Sequence, residues 1–428
     1  MAMASFSEHE TQPAAARTPG NRPVRVLLTL AILVCVTGLG FSSQFYTQAL
    51  VDAFFGLALA GITIIHLRIR PRWQDALLAL AGMVLLSLVD FQVLHYKPSI
   101  IACFSNLGLT SFMILAVRSV WDSQRKILLY GWVPAGLLVL SDYLASDMLE
   151  WTSRMHPRTL DLYLMYFDGN LGTQISFVLG RYDLRHLWFH NSTLIGYAGL
   201  AIPITLVYAG RLVRFGERAL PSVLAFLITG PIGMLFYNLF PACGPHKLFG
   251  PTFPFQPFPT ANLPRLFLEP VAITGPRNAI PSLHIAWTLL AWWYSRGLSW
   301  IERLVALAFL LLTAGATLGT GEHWFVDLVV AVPFALMIQG LAMYELPWSH
   351  RERLTAILAG LSLTLGWLAV LRYGVRVFGL SPIVPWTFSI ATVALACFLQ
   401  ARLAHAADSP DPAQEILRSQ APVLSTAV

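Results

Sequence analysis

Residues 304–318 read LVALAFLLLTAGATL, residues 328–343 read LVVAVPFALMIQGLAM, and the junction from Gly319 to Asp327 reads GTGEHWFVD. Apolar runs approaching the length of about 20 residues that crosses a hydrocarbon core predict membrane-spanning helices, and the junction sets His323 and Asp327 at the lip of one. A second string, Pro281-Ser282-Leu283-His284, opens another apolar run that begins at Ala279 and continues through Trp292. An unpaired charge in a bilayer costs roughly 2.5–3.5 kcal/mol on insertion scales, so ionisable residues at these places point to function. His323 and Asp327 are one helical turn apart, and the carboxylate is expected to take the imidazole Nδ1 proton and leave Nε2 free.

The rest of the chain extends the apolar pattern. Of 428 residues, 56% are hydrophobic and 12% charged, against about 25% charged in soluble domains, and the mean hydropathy is +0.63. Apolar runs recur from Val24 to Gln400, and about twelve reach spanning length. The expected fold class is an all-α polytopic membrane protein with about twelve transmembrane helices, about six of them forming a core over residues 192–344 that bears the site. N-terminal transmembrane helices are expected over 24–146, an external amphipathic segment over 147–191 and C-terminal transmembrane helices over 345–401. Residues 1–23 and 402–428 are polar and read as disordered cytoplasmic tails, the first without the short apolar core of a signal peptide.

The net charge of +6 is carried largely by arginines in short loops, a topology signal and not a nucleic-acid surface. They cluster at Arg22/Arg25, Arg68/Arg70/Arg72, Arg118/Arg125/Lys126, Arg211/Arg214/Arg218, Arg296/Arg303 and Arg351/Arg353, at every second connection, which predicts a cytoplasmic face there. The opposite, external face then receives the long segments 147–191 and 241–278 and the turn that ends at His323. In a bacterium this is the inner membrane with the site facing the periplasm; in a eukaryote it faces a lumen. His284 starts an inward helix and His323 ends an outward one, so an antiparallel hairpin brings both imidazoles to one depth. Cys35, Cys103, Cys243 and Cys397 form no CxxC pair, and neither a metal site nor a disulfide framework is expected.

Pro281 suits the first turn of a helix, Ser282 suits a capping or first-turn donor, and the free N–H groups there make an anion site. Arg277 is placed to pair with two phosphoryl oxygens, and Lys247 is a further external cation. Two histidines beside such a site predict phosphoryl chemistry. One attacks phosphorus to give a phosphohistidine, and the other protonates the departing oxygen and then deprotonates the incoming hydroxyl. Water as acceptor makes a phosphatase and a lipid alcohol makes a phosphotransferase; neither needs a metal or nucleotide cofactor. Leu160, Leu164, Phe167 and Leu171 recur at helical spacing and predict a helix lying in the interface, as a lid over the lipid site or a plug on the bundle.

PSLH followed by HWFVD resembles the second and third motifs of the type-2 phosphatidic acid phosphatase superfamily. The resemblance implies His323 as nucleophile, Asp327 as its orienting carboxylate and His284 as acid/base, on a six-helix phosphatase-like core. Leu283 stands where the phosphatases carry glycine and Thr317 where they carry arginine. In these positions the chain is more similar to the inositol phosphorylceramide synthase, inositolphosphotransferase-like branch. Tyr237 to Pro245 (YNLFPACGP) is similar to that branch's first motif, and Leu160 to Gly172 (LDLYLMYFDGNLG) to its external amphipathic segment. The similarity spans roughly Leu160 to Met337. It implies transfer of a phosphoryl-headgroup, phosphoinositol among the candidates, from a phospholipid or lipid phosphate donor to a lipid alcohol, with hydrolysis by water as the alternative. A multi-span transporter is the reading from another class, and it predicts internal repeats that the sequence does not show.

Overall fold

The computed structural model describes Thr29 and residues 53–408, except 70, 94, 98, 123 and 124. The start of the N-terminal helices expected over 24–146, up to residue 52, lies outside the described residues apart from Thr29, as do residues 1–23 and 409–428 of the expected tails.

A backbone in hydrocarbon must satisfy its own N–H and C=O groups, so the apolar runs fold as helices. In chain order these are α1 (Ala53–Arg68), α2 (Trp73–Gln92), α3 (Ile100–Trp121), α4 (Arg125–Met155), α5 (Asp161–Gly169), α6 (Ile175–Arg185), α7 (Leu187–Ala198) and α8 (Ala201–Phe215). They continue with α9 (Leu220–Leu239), α10 (Pro245–Phe249), α11 (Leu283–Tyr294), α12 (Trp300–Gly319), α13 (Phe325–Ala342), α14 (Arg351–Tyr373) and α15 (Ile383–Asp408). Among the described residues eight helical stretches are long and apolar enough to cross a membrane, and the chain is an all-α, multi-pass integral membrane protein. The expected count of about twelve is not reached there: α11, read as a full span from Ala279, has 12 residues and α1 has 16. Over residues 192–344, where a core of about six spans is expected, the structure carries most of α7 and the helices α8, α9, α11, α12 and α13. Helix α4 passes the expected boundary at 147 and α15 the one at 402, because helix-forming residues such as Leu149, Glu150, Leu403 and Ala404 continue a helix beyond its apolar part.

Helix α13 is the axis of the bundle. It is apolar all round and buried along almost its whole length, packed by α9, α11, α14 and α15. Helices α7 and α8, broken at Gly199-Leu200, together run antiparallel to α12: the Thr313 hydroxyl donates to the Gly196 carbonyl at 3.3 Å near one end, and Glu302 abuts Gly210 near the other. Ser299 caps α12, with the Glu302 carboxylate accepting from the Ser299 N–H at 2.9 Å, and Glu302 also pairs with Arg68 of α1. A second core, with Phe55, Ile62, Ile65 and Leu115, joins α1 to α3, α4 and α8. Helix α2 is outermost, and its Leu78 and Leu85, 62% and 63% exposed, present an apolar face of the kind lipid covers.

The starts of α11 and α13 and the end of α12 meet at one end of the bundle. Two long connections close over it through a short antiparallel pair, β1 (Arg158–Thr159) with β2 (Val271–Ala272), in the register Arg158↔Ala272 and Thr159↔Val271. The helix expected over Leu160 to Leu171 is α5. It is covered by protein on both its sides: Leu160, Leu164, Phe167 and Leu171 are buried, and so are the acids Asp161 and Asp168. The periodicity located its apolar side, while its polar side turns into the protein and not toward water.

Candidate active site

His323 sits in the turn between α12 and α13, almost fully buried. Its backbone N–H donates to the Thr317 carbonyl at 3.1 Å, and its own carbonyl accepts from the Ser176 hydroxyl at 3.1 Å. The side chain is held at both nitrogens. Nδ1 lies 2.8 Å from the Ala279 carbonyl oxygen, which fixes the proton on Nδ1, and the nearer Asp327 oxygen stands farther off at 3.4 Å. The expectation that Asp327 takes this proton is therefore corrected. Asp327 Oδ2 instead accepts from the Trp324 N–H at 2.7 Å, closing the first turn of α13, and its Oδ1 has no partner among the described residues. With Nδ1 protonated, Nε2 is an acceptor, and the Ser282 hydroxyl donates to it at 3.2 Å.

Ser282 precedes α11 and is fully buried, and its hydroxyl does not cap that helix as the sequence suggested. Its N–H donates to the Asp327 carbonyl at 3.2 Å, which ties the PSLH and HWFVD strings together directly. His284 follows on the first turn of α11, its ring centroid 6.5 Å from that of His323. The two imidazoles are thus brought together as the sequence predicted. The His284 ring stacks on Tyr197 at 4.2 Å and meets Trp287 and Phe54 edge-on at 6.2 and 6.4 Å, so one side of the site is an aromatic wall.

Two carboxylates that the sequence reading left without a role organise the site. Asp168 of α5 accepts from the Phe325 N–H at 2.7 Å and the Val326 N–H at 3.3 Å, occupying the free donors at the start of α13. Asp161, two turns earlier on the same helix, accepts from the Cys243 and Gly244 N–H groups, the latter at 2.8 Å, and from the Trp324 indole N–H at 3.0 Å. The YNLFPACGP loop is thereby pinned to the histidine turn. The contact is backbone on backbone: Gly244, at φ +102°, lies where a Cβ would come within 2.3 Å of the Glu322 carbonyl oxygen, and the His246 N–H donates to Gly321 at 2.8 Å. The signal for these acids was present, as two aspartates seven residues apart in an otherwise apolar helix. The Ala279 carbonyl, being backbone, had no side-chain signal.

Arg277 does not reach toward the histidines. It is buried, and its Nε donates to the His156 carbonyl at 2.7 Å, Nη2 to Ile273 at 2.9 Å and Nη1 to Gly275, with the Cys243 sulfur at 3.7 Å from Nη1. A guanidinium spent on loop carbonyls is a clamp on the 273–279 connection, which delivers Ala279 to His323, and the phosphate pairing expected of it is corrected on that ground. Lys247 is exposed on the short helix α10, its stem against Gly275. Thr317 turns its hydroxyl to the Ala314 carbonyl at 3.2 Å and brings no charge to the site. Among the described residues no group of three or more His, Cys, Asp or Glu side chains is arranged to hold a metal ion.

Burial pushes the His323 imidazole down from its ordinary 6.5 to about 4, against the opposing pull of Glu322 and of the Ala279 bond. Burial likewise holds the Asp168 carboxyl well above the ordinary range, with the Asp327 charge adding to it and the Phe325 and Val326 N–H bonds opposing. A neutral imidazole with a fixed tautomer, whose Nε2 lone pair is held only by the Ser282 hydroxyl, is a nucleophile or base in waiting once that hydroxyl turns away.

Neither a curated protein nor a solved structure matches the chain. Residues 162–341, the segment that holds Asp168, Ser282, His284, His323 and Asp327, match the family model of the PAP2 superfamily, and the match supports the type-2 phosphatidic acid phosphatase superfamily as the family of this segment.

Proposed function

We propose that this protein transfers a phosphoryl-headgroup between lipids through a phosphohistidine on His323. The reading rests on one observation above the rest: His323 Nε2 is left unprotonated by the Ala279 bond, and a second imidazole lies 6.5 Å away, ring to ring. The match of residues 162–341 to the family model of the PAP2 superfamily, whose members act on lipid phosphates, supports the class of chemistry.

In the first step Nε2 attacks the donor phosphorus and the P–O bond to the departing lipid alcohol breaks. Burial pushes His284 down to about 3, so the negative charge of the bound phosphate beside it loads it with the proton that it gives to the leaving oxygen. In the second, neutral His284 takes the proton of the incoming hydroxyl, whose oxygen displaces Nε2 and restores both histidines. The Ser282 hydroxyl and the first-turn N–H groups of α11 hold the phosphoryl oxygens. Asp327 acts at second remove, through the Trp324 N–H and as a nearby charge. The Tyr197, Trp287 and Phe54 wall around His284 favours a lipid alcohol over water as acceptor, because an apolar wall offers water few partners. Hydrolysis of a lipid phosphate is the second reading, favoured by the family match alone. Arg211 and Arg214 at the end of α8, Arg218 and Arg296 gather at the end of the bundle away from His323, and this charge bias supports a site facing away from the cytoplasm.

The test uses membranes carrying wild type or His323→Ala with labelled phosphatidylinositol, phosphatidic acid or a prenyl phosphate, with and without ceramide or diacylglycerol. A new phospholipid that requires both acceptor and His323 supports transfer. Free phosphate alone supports hydrolysis, and no His323-dependent product from any donor returns the balance to a transporter.

A further inference from the structure

At the end of the bundle away from His323, α8, α11, α13 and α15 finish around a cavity of ≈ 430 Å³. Helix α11 carries His284 at its start and Tyr294 at its end; at about 1.5 Å of rise per residue these stand about 15 Å apart along the axis, so the cavity and the histidines are separate places. The cavity volume falls within the range of small-molecule sites.

Four arginines line it, Arg211, Arg214, Arg218 and Arg296, together with the carboxylates Glu345 and Asp408. Four guanidinium groups against two carboxylates leave a formal charge of +2 on the lining. Asp408 is taken by Arg296 at 3.5 Å. Arg211 is fixed in place: Nη1 donates to the Tyr294 carbonyl at 3.2 Å and Nη2 to the Arg218 carbonyl at 3.3 Å, and the guanidinium lies over the Phe215 and Tyr294 rings.

Independently of the charge, three residues of the lining carry buried polar atoms that have no partner among the described residues. They are the Tyr294 hydroxyl, the Gln339 Oε1 and the Arg211 Nε. Tyr294 and Gln339 are 3% and 2% exposed, so their polar ends are withdrawn from bulk water. Buried polar groups are normally satisfied, and a group of them around one arginine-lined space is the signature of a ligand's partners. An N–H and a phenolic O–H suit anionic oxygens, and an amide oxygen suits a hydroxyl or a protonated oxygen.

We infer that this cavity binds a phosphate-bearing anion, supplied as the headgroup of an anionic phospholipid or as free phosphate, at a site distinct from the histidines. The site does not depend on what the histidines do. It places a phosphate sensor on the far ends of α11 and α13, the two helices whose near ends carry His284 and Asp327, so occupancy there bears on both.

The experiment uses the full chain in phosphatidylcholine nanodiscs, with dioleoyl phosphatidic acid added to the bilayer in one arm and inorganic phosphate to the buffer in another, and reads thermal unfolding against probe concentration. Arg214→Gln/Arg218→Gln alters two exposed positions, and Tyr294→Phe removes only the orphan hydroxyl; His323→Ala removes the proposed nucleophile, so that the probe is not consumed. Phosphatidic acid is expected to stabilise wild type and His323→Ala alike, with apparent affinity weakened about tenfold or more in the double variant and more modestly in Tyr294→Phe. Stabilisation by phosphatidic acid alone identifies a lipid headgroup, and stabilisation by inorganic phosphate that the same variants weaken identifies the free anion. No stabilisation of wild type, stabilisation unchanged in both cavity variants, or stabilisation lost in His323→Ala instead would overturn the inference.

Discussion

Helices α11 and α13 run between two ends of the bundle that differ in how much of their charge is bonded to backbone. At the His323 end the charged groups are spent on backbone: Asp161 and Asp168 on N–H groups of the loop and of α13, and Arg277 on three carbonyls. At the other end Arg211 is likewise held by two carbonyls, but Arg214 and Arg218 line a cavity from exposed positions, and Arg211 Nε, Tyr294 Oη and Gln339 Oε1 have no partner among the described residues. The difference separates two ways of using a polar group in an apolar protein. Charge bonded to backbone fixes geometry, which catalysis by a positioned imidazole requires; charge left facing a space is available to something that arrives.

The comparison breaks most visibly at the nucleophile. His323→Ala should lower turnover by at least about 10⁴-fold, since the groups around it act as a unit and the loss of one disables the rest. His284→Ala should cost about 10²–10⁴-fold in kcat with little change in KM, as expected of a proton shuttle that does not hold substrate. Steady-state kinetics in mixed micelles checks both, and normal turnover in either variant removes that histidine from the scheme.

Asp168→Ala leaves the Phe325 and Val326 N–H groups without their acceptor. Each buried group left unsatisfied costs roughly 1–3 kcal/mol, so thermal unfolding should move down by several degrees and activity should fall with it. Arg277→Lys sharpens the same point, because a lysine cannot reproduce a guanidinium bonded to several carbonyls. It should lower stability and kcat while leaving KM for the lipid phosphate nearly unchanged. A large rise in KM with stability intact would return Arg277 to the phosphate.

The smallest effect is that of pH. Burial holds His323 near 4, below the 6.5 of an unfolded chain, so the unfolded state binds this proton first as the pH falls. The contribution to stability is therefore full above about pH 6.5 and is lost as the pH drops toward 4. The nucleophile should stay neutral over the same window, so the acid limb that it sets in kcat/KM belongs below 6.5. A limb at 6.5 or above that His284 variants leave in place would argue against a buried, neutral His323.

Much of this was legible in the sequence. The helical class followed from apolar runs with few charges, and the meeting of His284 with His323 followed from the antiparallel order of α11 and α12 and the alternation of loop arginines. What was not legible has physical causes. The spacing of His323 and Asp327 suggested a direct bond, but the carbonyl that takes Nδ1 belongs to Ala279, whose side chain carries no hint of it. Arg277 looked like a phosphate ligand because sequence reports its charge and not the carbonyls that surround it. The apolar stripe of α5 was visible, while the use of Asp161 and Asp168 depends on two loops distant in sequence. The apolar run from Ala279 gives a helix of only 12 residues, because α11 begins at the buried Leu283, after Pro281 and Ser282.

The central claim, that His323 Nε2 attacks phosphorus, is tested most directly by trapping. Wild type mixed with a phospholipid labelled in its phosphate is quenched during turnover and the label mapped by mass spectrometry under conditions that preserve phosphoramidates. The account predicts an acid-labile label on His323, absent from His323→Ala and accumulating in His284→Ala if the second step is the slower. A stable label on Ser282, whose hydroxyl lies 3.2 Å from Nε2, would instead make His323 the base, and rapid product formation with no label on the protein would contradict a covalent step.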